Sequence, residues 1–188
     1  VLTGGYNMQG FVHEAENIFR HCKDRTDYVV LYFNVRNFKA VNELFGIDNG
    51  DKVLRMIHKH LKESRLKPCI TARVEADQFT CLIRKENLDL EVLSGLCEWN
   101  FAHDGKMMNI LCGCGIFYVE DKPMSINGMI DRAKIAKRYI KDEYVKPYNI
   151  YDTTMKSHYI NRAELTGELK NGLAQEQFTV YYQPVIDA

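Results

Sequence analysis

The run YVVLYFNV, Tyr28–Val35, constrains the fold more strongly than any other stretch of the chain. It is apolar almost throughout and rich in β-branched and aromatic side chains, which is the pattern of a buried strand. A second stretch, CITARVEADQFTCLI at Cys69–Ile83, places two apolar runs around a short polar insert and predicts a β-hairpin. A buried strand and a hairpin in one chain predict a sheet with helices packed on it.

Hydrophobic periodicity predicts the elements around these strands. Helical spacing indicates helices at Gln9–Lys23, Phe38–Phe45, from Asn49 or Asp51 onward, at Leu88–Phe101, and from Ser125 to about Glu143. Further strands are predicted at Met108–Val119 and Tyr148–Asp152. We therefore expect an α/β (α+β) domain over residues 1–152, with a mixed central sheet of about five strands flanked by helices.

The pattern changes after residue 152. Residues 153–177 are mostly polar with helical character, and we interpret them as a linker helix. The run FTVYYQPVID that begins at Phe178 predicts a strand of a further domain, of which residues 178–188 would be the start. The chain is thus expected to be part of a longer protein.

Composition limits the classes of function. The 25 basic and 25 acidic residues give a formal net charge of zero, which argues against a general binder of nucleic acid or anionic membrane. Any phosphate site must therefore be local. No apolar stretch reaches the ~18 residues of a membrane span. The six cysteines include no CxxC pair and favour reduced, mostly buried thiols, so we expect a cytoplasmic protein without direct membrane contact.

Polar side chains stand at the ends of the predicted strands and turns. Asn34 lies near the end of the first strand, Asn42 and Asp51 lie on the helices after it, and Asp77 lies at the hairpin tip. If the first strand and the hairpin are neighbours, Asn34 and Asp77 lie side by side and offer the oxygen ligands that Mg²⁺ prefers in nucleotidyl transfer. From the spacing alone, the favoured interpretations are solvated turn residues, a helix cap at Asp51 and a surface position for Asn42.

Four motifs resemble those of one family. LTGGYN at Leu2–Asn7, FNVRNFKAVNELFGIDNGDKVL at Phe33–Leu54, RVEADQF at Arg73–Phe79 and RAKIAKRYIK at Arg132–Lys141 follow the order of motifs in GGDEF domains, the diguanylate cyclase family. The resemblance implies a nucleotide-cyclase, palm-like fold. FTVYYQPVID resembles the entry strand of an EAL domain, the cyclic-di-GMP phosphodiesterase family, so an attached EAL-like domain is implied.

The resemblance also implies roles for individual residues. Members of the family join two GTP molecules across a pair of facing domains, with Mg²⁺ held at the positions of Asn34 and Asp77. Guanine would be read by Asn42 and Asp51. The positions of Phe38 and Lys141 would also belong to the nucleotide site, Lys141 as a contact to phosphate.

The signature turn departs from the family pattern. It reads Glu75, Ala76, Asp77, Gln78, Phe79, so a glutamate and an alanine replace two glycines and the second acidic residue is an amide. Asn34 replaces the strand aspartate and brings no charge to a metal ion. Leu66 and Cys69 stand where the family has the arginine and aspartate of its product-inhibition site.

These departures lead to a functional expectation. We expect a catalytically degenerate GGDEF domain that binds GTP with weakly held Mg²⁺, regulates an attached EAL-like phosphodiesterase and can form a homodimer, with no nucleic-acid partner. A purely structural or dimerising domain is one alternative. An active cyclase with a variant motif is the other.

Overall fold

The computed structural model describes residues 2–177 and Thr179. The first part of the chain forms α1 (Met8–His21), β1 (Tyr28–Val35), α2 (Phe38–Phe45), α3 (Ile47–Glu63), β2 (Ile70–Glu75) and β3 (Gln78–Arg84). The second part forms α4 (Leu90–Gly95), β4 (Glu98–His103), β5 (Lys106–Tyr118), α5 (Ile126–Arg138), β6 (Tyr148–Ile150) and α6 (Thr153–Ala174). Short 3₁₀ turns at Arg25–Asp27 and Lys85–Asn87 complete the described secondary structure.

The strands form one mixed sheet with β1 at its centre. The strand order is β2-β3-β1-β5-β4, and all of these pairs are antiparallel. β6 pairs in parallel with the later part of β5. The predicted α+β class with a flanked mixed sheet is confirmed, with six strands among the described residues instead of about five.

Alternation along β1 divides the core into two layers. Val29, Leu31, Phe33 and Val35 face the cluster that includes residues of α2, α3 and α4. Tyr28, Val30 and Tyr32 face the cluster that includes residues of α1 and α5. Because successive side chains of a strand point to opposite faces, a strand that is apolar on both faces requires helices on both faces.

The predicted helix Leu88–Phe101 is wrong in its second half. Helix α4 ends at Gly95, and residues 98–103 form β4, paired with β5 through a tight turn at Asp104 and Gly105. Both turn residues have positive φ, 49° and 73°, which is the backbone that Asp-Gly favours in two-residue hairpins. Half-buried residues alternate with exposed ones along β4, so its period is that of a strand.

Two other helix boundaries differ from the prediction. Helix α3 begins at Ile47, directly after Gly46, so Asp51 is not its N-cap but lies in its second turn. Helix α5 ends at Arg138 and does not reach Glu143. Residues 142–146 form a separate turn, in which the Lys146 N–H donates to the Asp142 carbonyl at 3.0 Å.

The chain divides into two compact units between Asp152 and Thr153, and α6 belongs to the second. Of the strand predicted from Phe178 onward, only Thr179 lies within the described residues, so this prediction is not tested. None of the described helices combines the length and apolar character needed to cross a bilayer.

Candidate functional site

The end of β1 and the tip of the β2–β3 hairpin are joined by side-chain and backbone bonds. Asn34 is opposite Gln78 in the β1–β3 register, and its Nδ2 donates to Asp77 Oδ2 at 3.0 Å. The Val35 N–H donates to the Asp77 carbonyl at 3.2 Å. The structure thus places Asn34 and Asp77 side by side. Their role as metal ligands stays a prediction.

The hairpin turn carries a backbone conformation that suits glycine. Ala76 has φ of +37°, in the left-handed region that L-residues with a side chain seldom adopt. Arg73 Nε donates to the Ala76 carbonyl at 2.6 Å, and the β2–β3 register shifts between Arg73 and Glu75. At Ala76 the turn therefore has a backbone conformation that a glycine would adopt without strain, although an alanine occupies the position.

The charge state of Asp77 is set by opposing effects. Half-burial raises the pKa of its carboxyl, and its own backbone N–H, the Asn34 amide, Lys137 and Arg73 act in the opposite direction. Burial raises the pKa of the neighbouring Tyr32 to about 12, with the negative charge of Asp77 as the next cause. A cation beside Asp77 would therefore relieve an unfavourable burial of negative charge.

The Asn34–Asp77 pair offers a metal ion one carboxylate. Mg²⁺ is usually bound through one or two carboxylates together with substrate phosphates. Asp77 supplies the charged oxygen, and Asn34 supplies at most its neutral amide oxygen because its nitrogen is bonded to Asp77. Within residues 2–177, no group of three His, Cys, Asp or Glu side chains could hold a metal ion alone. These donors could hold one Mg²⁺ only with further ligands from outside the chain, and its binding stays a prediction.

The residues expected to read guanine lie where α2 meets α3. Gly46, with φ of +84°, ends α2 and begins α3, so the two helices turn sharply against one another. A β-carbon at Gly50 would overlap the Asn42 amide oxygen and lie 3.4 Å from Phe38 Cζ. The absent side chain at Gly50 thus lets Asn42 and Phe38 pack against α3, next to half-exposed Asp51. The neighbouring Asn49 is structural, since its amide bonds to Phe45 O and accepts from Lys52.

The predicted phosphate contact lies in a different setting from the one expected. Lys141 is exposed in the loop after α5, where it borders a cavity of about 560 Å³ together with Arg36 and Tyr144. Because α5 ends early, Lys141 is not on the helix.

Lys137, four residues before Lys141, is mostly buried instead. Its Nζ pairs with Glu143 Oε1 at 3.0 Å, and the two side chains are only 19% and 13% exposed. The pair lies over Gly113, where a β-carbon would be 2.6 Å from both Glu143 Oε1 and Lys137 Cε. Gly113 is opposite Asn34 across the β1–β5 ladder, so this ion pair is next to the Asn34–Asp77 pair.

The sequence contained a signal for this arrangement. Gly113 and Gly115 stand inside an otherwise apolar strand, and a glycine in a strand interior often marks the close approach of another element. The spacing of Lys137 and Glu143 fits no helical pairing and gave no signal. At the predicted product-inhibition position, Leu66 is 2% exposed and belongs to the core, while Cys69 is exposed.

Comparison with known proteins decides the family. The family model described as "Diguanylate cyclase, GGDEF domain" matches residues 1–144. The chain belongs to the GGDEF family. The GGDEF domain of TpbB (YfiN) from Pseudomonas aeruginosa superposes on 84% of this GGDEF chain with a TM-score of 0.67 at 17% identity, covering 96% of that structure.

Relatives of this GGDEF chain include larger proteins. The protein sll1895 of Synechocystis sp. is 27% identical over 99% of the chain and 28% of its own length. MucR of Pseudomonas aeruginosa, a bifunctional diguanylate cyclase/cyclic di-GMP phosphodiesterase, is 22% identical over 87% of the chain and 25% of its own length. The chain thus spans about a quarter of these curated relatives.

Proposed function

We propose that this GGDEF domain is a catalytically degenerate, GTP-binding regulatory module in a larger cyclic-di-GMP signalling protein, where it acts on an attached EAL phosphodiesterase. The observation that carries the proposal is the bond from the Asn34 amide to the Asp77 carboxylate. The Asn34 amide N–H group thus occupies the Asp77 carboxylate oxygen that a metal ion would need as a ligand. The similarity to MucR and the EAL-like run after Phe178 support an attached phosphodiesterase.

Binding of guanine depends on the α2–α3 corner. Asp51 offers an acceptor for the N1–H and N2–H₂ groups of guanine, and the Asn42 amide offers a donor and an acceptor beside it. Adenine has no N–H at N1 and no amino group at C2, so an acceptor in this place favours GTP over ATP. Mg²⁺ would enter on the triphosphate, with Asp77 as its protein ligand.

Catalysis would fail for two reasons. One carboxylate cannot provide the charge of the family's metal-binding pair, so the attacking hydroxyl is poorly activated. Glu75 adds a negative charge near the triphosphate, and at ~4 Å with an effective dielectric near 20 the repulsion is roughly 4 kcal/mol before relaxation.

A purely structural or dimerising domain is the second candidate. It is favoured by the internal Lys137–Glu143 pair, which already neutralises the inward lysine beside the site. In that case neither nucleotide binds.

One titration separates the candidates. The chain is titrated with GTP and with ATP, each with Mg²⁺, by calorimetry, and the mixtures are then analysed for cyclic di-GMP by chromatography. We expect selective GTP binding and no product. Asp51→Ala should weaken GTP by about 1.5–3 kcal/mol, the value of a charged hydrogen bond, whereas Asp48→Ala on the exposed first turn of α3 should not. Steady product formation would identify an active cyclase, and no binding of either nucleotide would favour the structural role.

A further inference from the structure

A cavity of about 380 Å³ opens away from the nucleotide residues. It lies between the N-terminal segment at Gly4–Tyr6, helix α3 and the beginning of β2. Its size is at the lower end of the range of small-molecule sites. Cys69, at the position of the family's product-inhibition aspartate, borders it, but none of the residues expected to contact GTP or Mg²⁺ does, so the cavity needs its own explanation.

His58 forms the inner wall of this cavity. The side chain is 5% exposed, and its Nδ1 has no hydrogen-bond partner in the described part of the chain. The ring is stacked on Phe79 with centroids 6.4 Å apart. Gly5 packs so closely on the other atoms that a β-carbon there would overlap His58 Cε1 and Nε2. A buried ring nitrogen without a partner is costly, and His58 belongs to the lining of the cavity, so a ligand that reached this nitrogen would be favoured there.

The charge of the lining specifies the kind of ligand. Lys62 follows His58 by one helical turn and also lines the cavity. It is the only Lys, Arg, Asp or Glu among the described lining residues. Burial lowers the pKa of His58, and the nearby positive charge of Lys62 lowers it further. The Thr71 hydroxyl and the Cys69 thiol add short polar groups, while Tyr6, Pro68 and Ile70 provide an apolar surface.

We propose that this cavity binds a small organic anion, a carboxylate or a phosphate ester, through Lys62 and the His58 imidazole. The anion pairs with the Lys62 ammonium at the rim and accepts a hydrogen bond from His58 inside. The apolar part of the ligand lies against Tyr6 and Ile70. A cation is disfavoured because none of the described lining residues carries a carboxylate.

The site is placed to affect the signature hairpin. β2 begins at Ile70 on the cavity wall and ends at Glu75 at the turn, and Phe79 under His58 is the second residue of β3. Tyr6 bridges to Ala72, and its carbonyl accepts from Arg73 N–H at 3.1 Å. An anion bound in the cavity therefore stabilises the packing of the N-terminal segment against β2. This inference does not rest on nucleotide binding.

The first test follows the cavity by nuclear magnetic resonance. The isotope-labelled 188-residue chain is titrated with inorganic phosphate, acetate and phenyl phosphate at constant ionic strength. We expect saturable shifts of the Gly5, His58 and Thr71 signals, with phenyl phosphate binding more tightly than phosphate. The acetate and phosphate arms show which anion is preferred. Lys62→Gln should weaken binding roughly tenfold or more, as expected for loss of a charged hydrogen bond.

Lys59→Gln is the matched control, because Lys59 is exposed on the same helix and does not line the cavity. It should bind as the parent chain does. Shifts that do not saturate, or equal losses in the two variants, would overturn the proposal.

The second test uses the exposed Cys69 thiol as a reporter. Iodoacetamide labelling is followed by mass spectrometry with and without phenyl phosphate. A bound anion should slow the labelling of Cys69 several-fold, while partly buried Cys22, outside the cavity, is the internal reference. Unchanged labelling of Cys69 at saturating anion would contradict the site.

Discussion

Ala76 holds a left-handed backbone conformation without being a glycine. Such a conformation costs a residue with a β-carbon roughly 1–2 kcal/mol, which is offset in part because alanine loses less entropy than glycine on folding. Ala76→Gly is therefore expected to be neutral or to raise the free energy of unfolding by up to about 1 kcal/mol. Urea denaturation measures the change.

The comparison variant is Ala102→Gly at an exposed position of β4. Ala102 does not have a positive φ, so glycine relieves no strain there and should lower the free energy of unfolding by about 0.5–1 kcal/mol. If both variants lose the same stability, the conformation at position 76 is not strained.

Asn34, at the end of β1, stabilises the Asp77 carboxylate at the hairpin tip by donating a hydrogen bond to it. Asn34→Asp would bring two carboxylates together, with repulsion of roughly 4 kcal/mol at ~4 Å and an effective dielectric near 20. We expect a lower melting temperature in EDTA and a marked recovery when Mg²⁺ and GTP are added. Thermal unfolding under both conditions measures the difference.

Asn37→Asp adds the same charge at an exposed residue before α2 and should show no such recovery. If the melting temperature of Asn34→Asp is the same with and without Mg²⁺ and GTP, the result would argue against a metal position at Asp77.

Helix α5 lies unusually close to β5. A β-carbon at Gly115 would overlap the carbonyl oxygen of Ala133 and lie 2.7 Å from Lys137 N. Both obstacles are backbone atoms of the helix, so Gly115→Ala must push α5 off the sheet. We expect a loss of about 1–3 kcal/mol or more in the free energy of unfolding by urea.

Gly95→Ala is the control for this helix–strand contact. Gly95 ends α4, and no atom lies within 4 Å of the place that a β-carbon would take there, so alanine should be neutral or stabilising by up to about 1 kcal/mol. If Gly115→Ala and Gly95→Ala change the free energy of unfolding equally, α5 can move away from β5 at little cost.

The elements with strong local patterns were predictable from the sequence. The bounds of β1 and α2 agree with the prediction because a continuous apolar run and a terminal Gly46 define them. β4 was missed because its leucine-rich lead-in has helical spacing, although Asp104-Gly105 was a hairpin signal.

The candidate site was predictable only in part. Asn34 and Asp77 follow from strand adjacency, which the register provides. Lys137 and Glu143 depend on where α5 stops and how the chain turns back, and a tertiary contact of this kind leaves no periodic trace in sequence.

The stability of the whole molecule should depend on pH through His58. Burial lowers the pKa of His58 below 6.5 in the folded state. Between the folded and unfolded pKa values, the unfolded chain therefore binds a proton at this residue and the folded chain does not. This contribution to stability is complete above pH 6.5 and is lost as the pH falls through the lower folded pKa. Urea unfolding at pH values from about 7 to 5 should show a decline that His58→Gln reduces.

His13→Gln on the exposed part of α1 is the control and should keep the decline of the parent chain. A decline of the same slope in His58→Gln would assign the pH dependence to other groups.

The strand order also has a consequence for how the chain is made on the ribosome. Tyr32 of the central strand pairs with Gly115, about 80 residues later in the sequence. At roughly 5–20 residues per second, β5 is synthesised about 4–16 s after β1. During that interval the edge of β1 that later pairs with β5 has no partner strand, and an unpaired edge of an apolar strand promotes aggregation. Synthesis speed and chaperone supply should therefore influence the yield of folded protein.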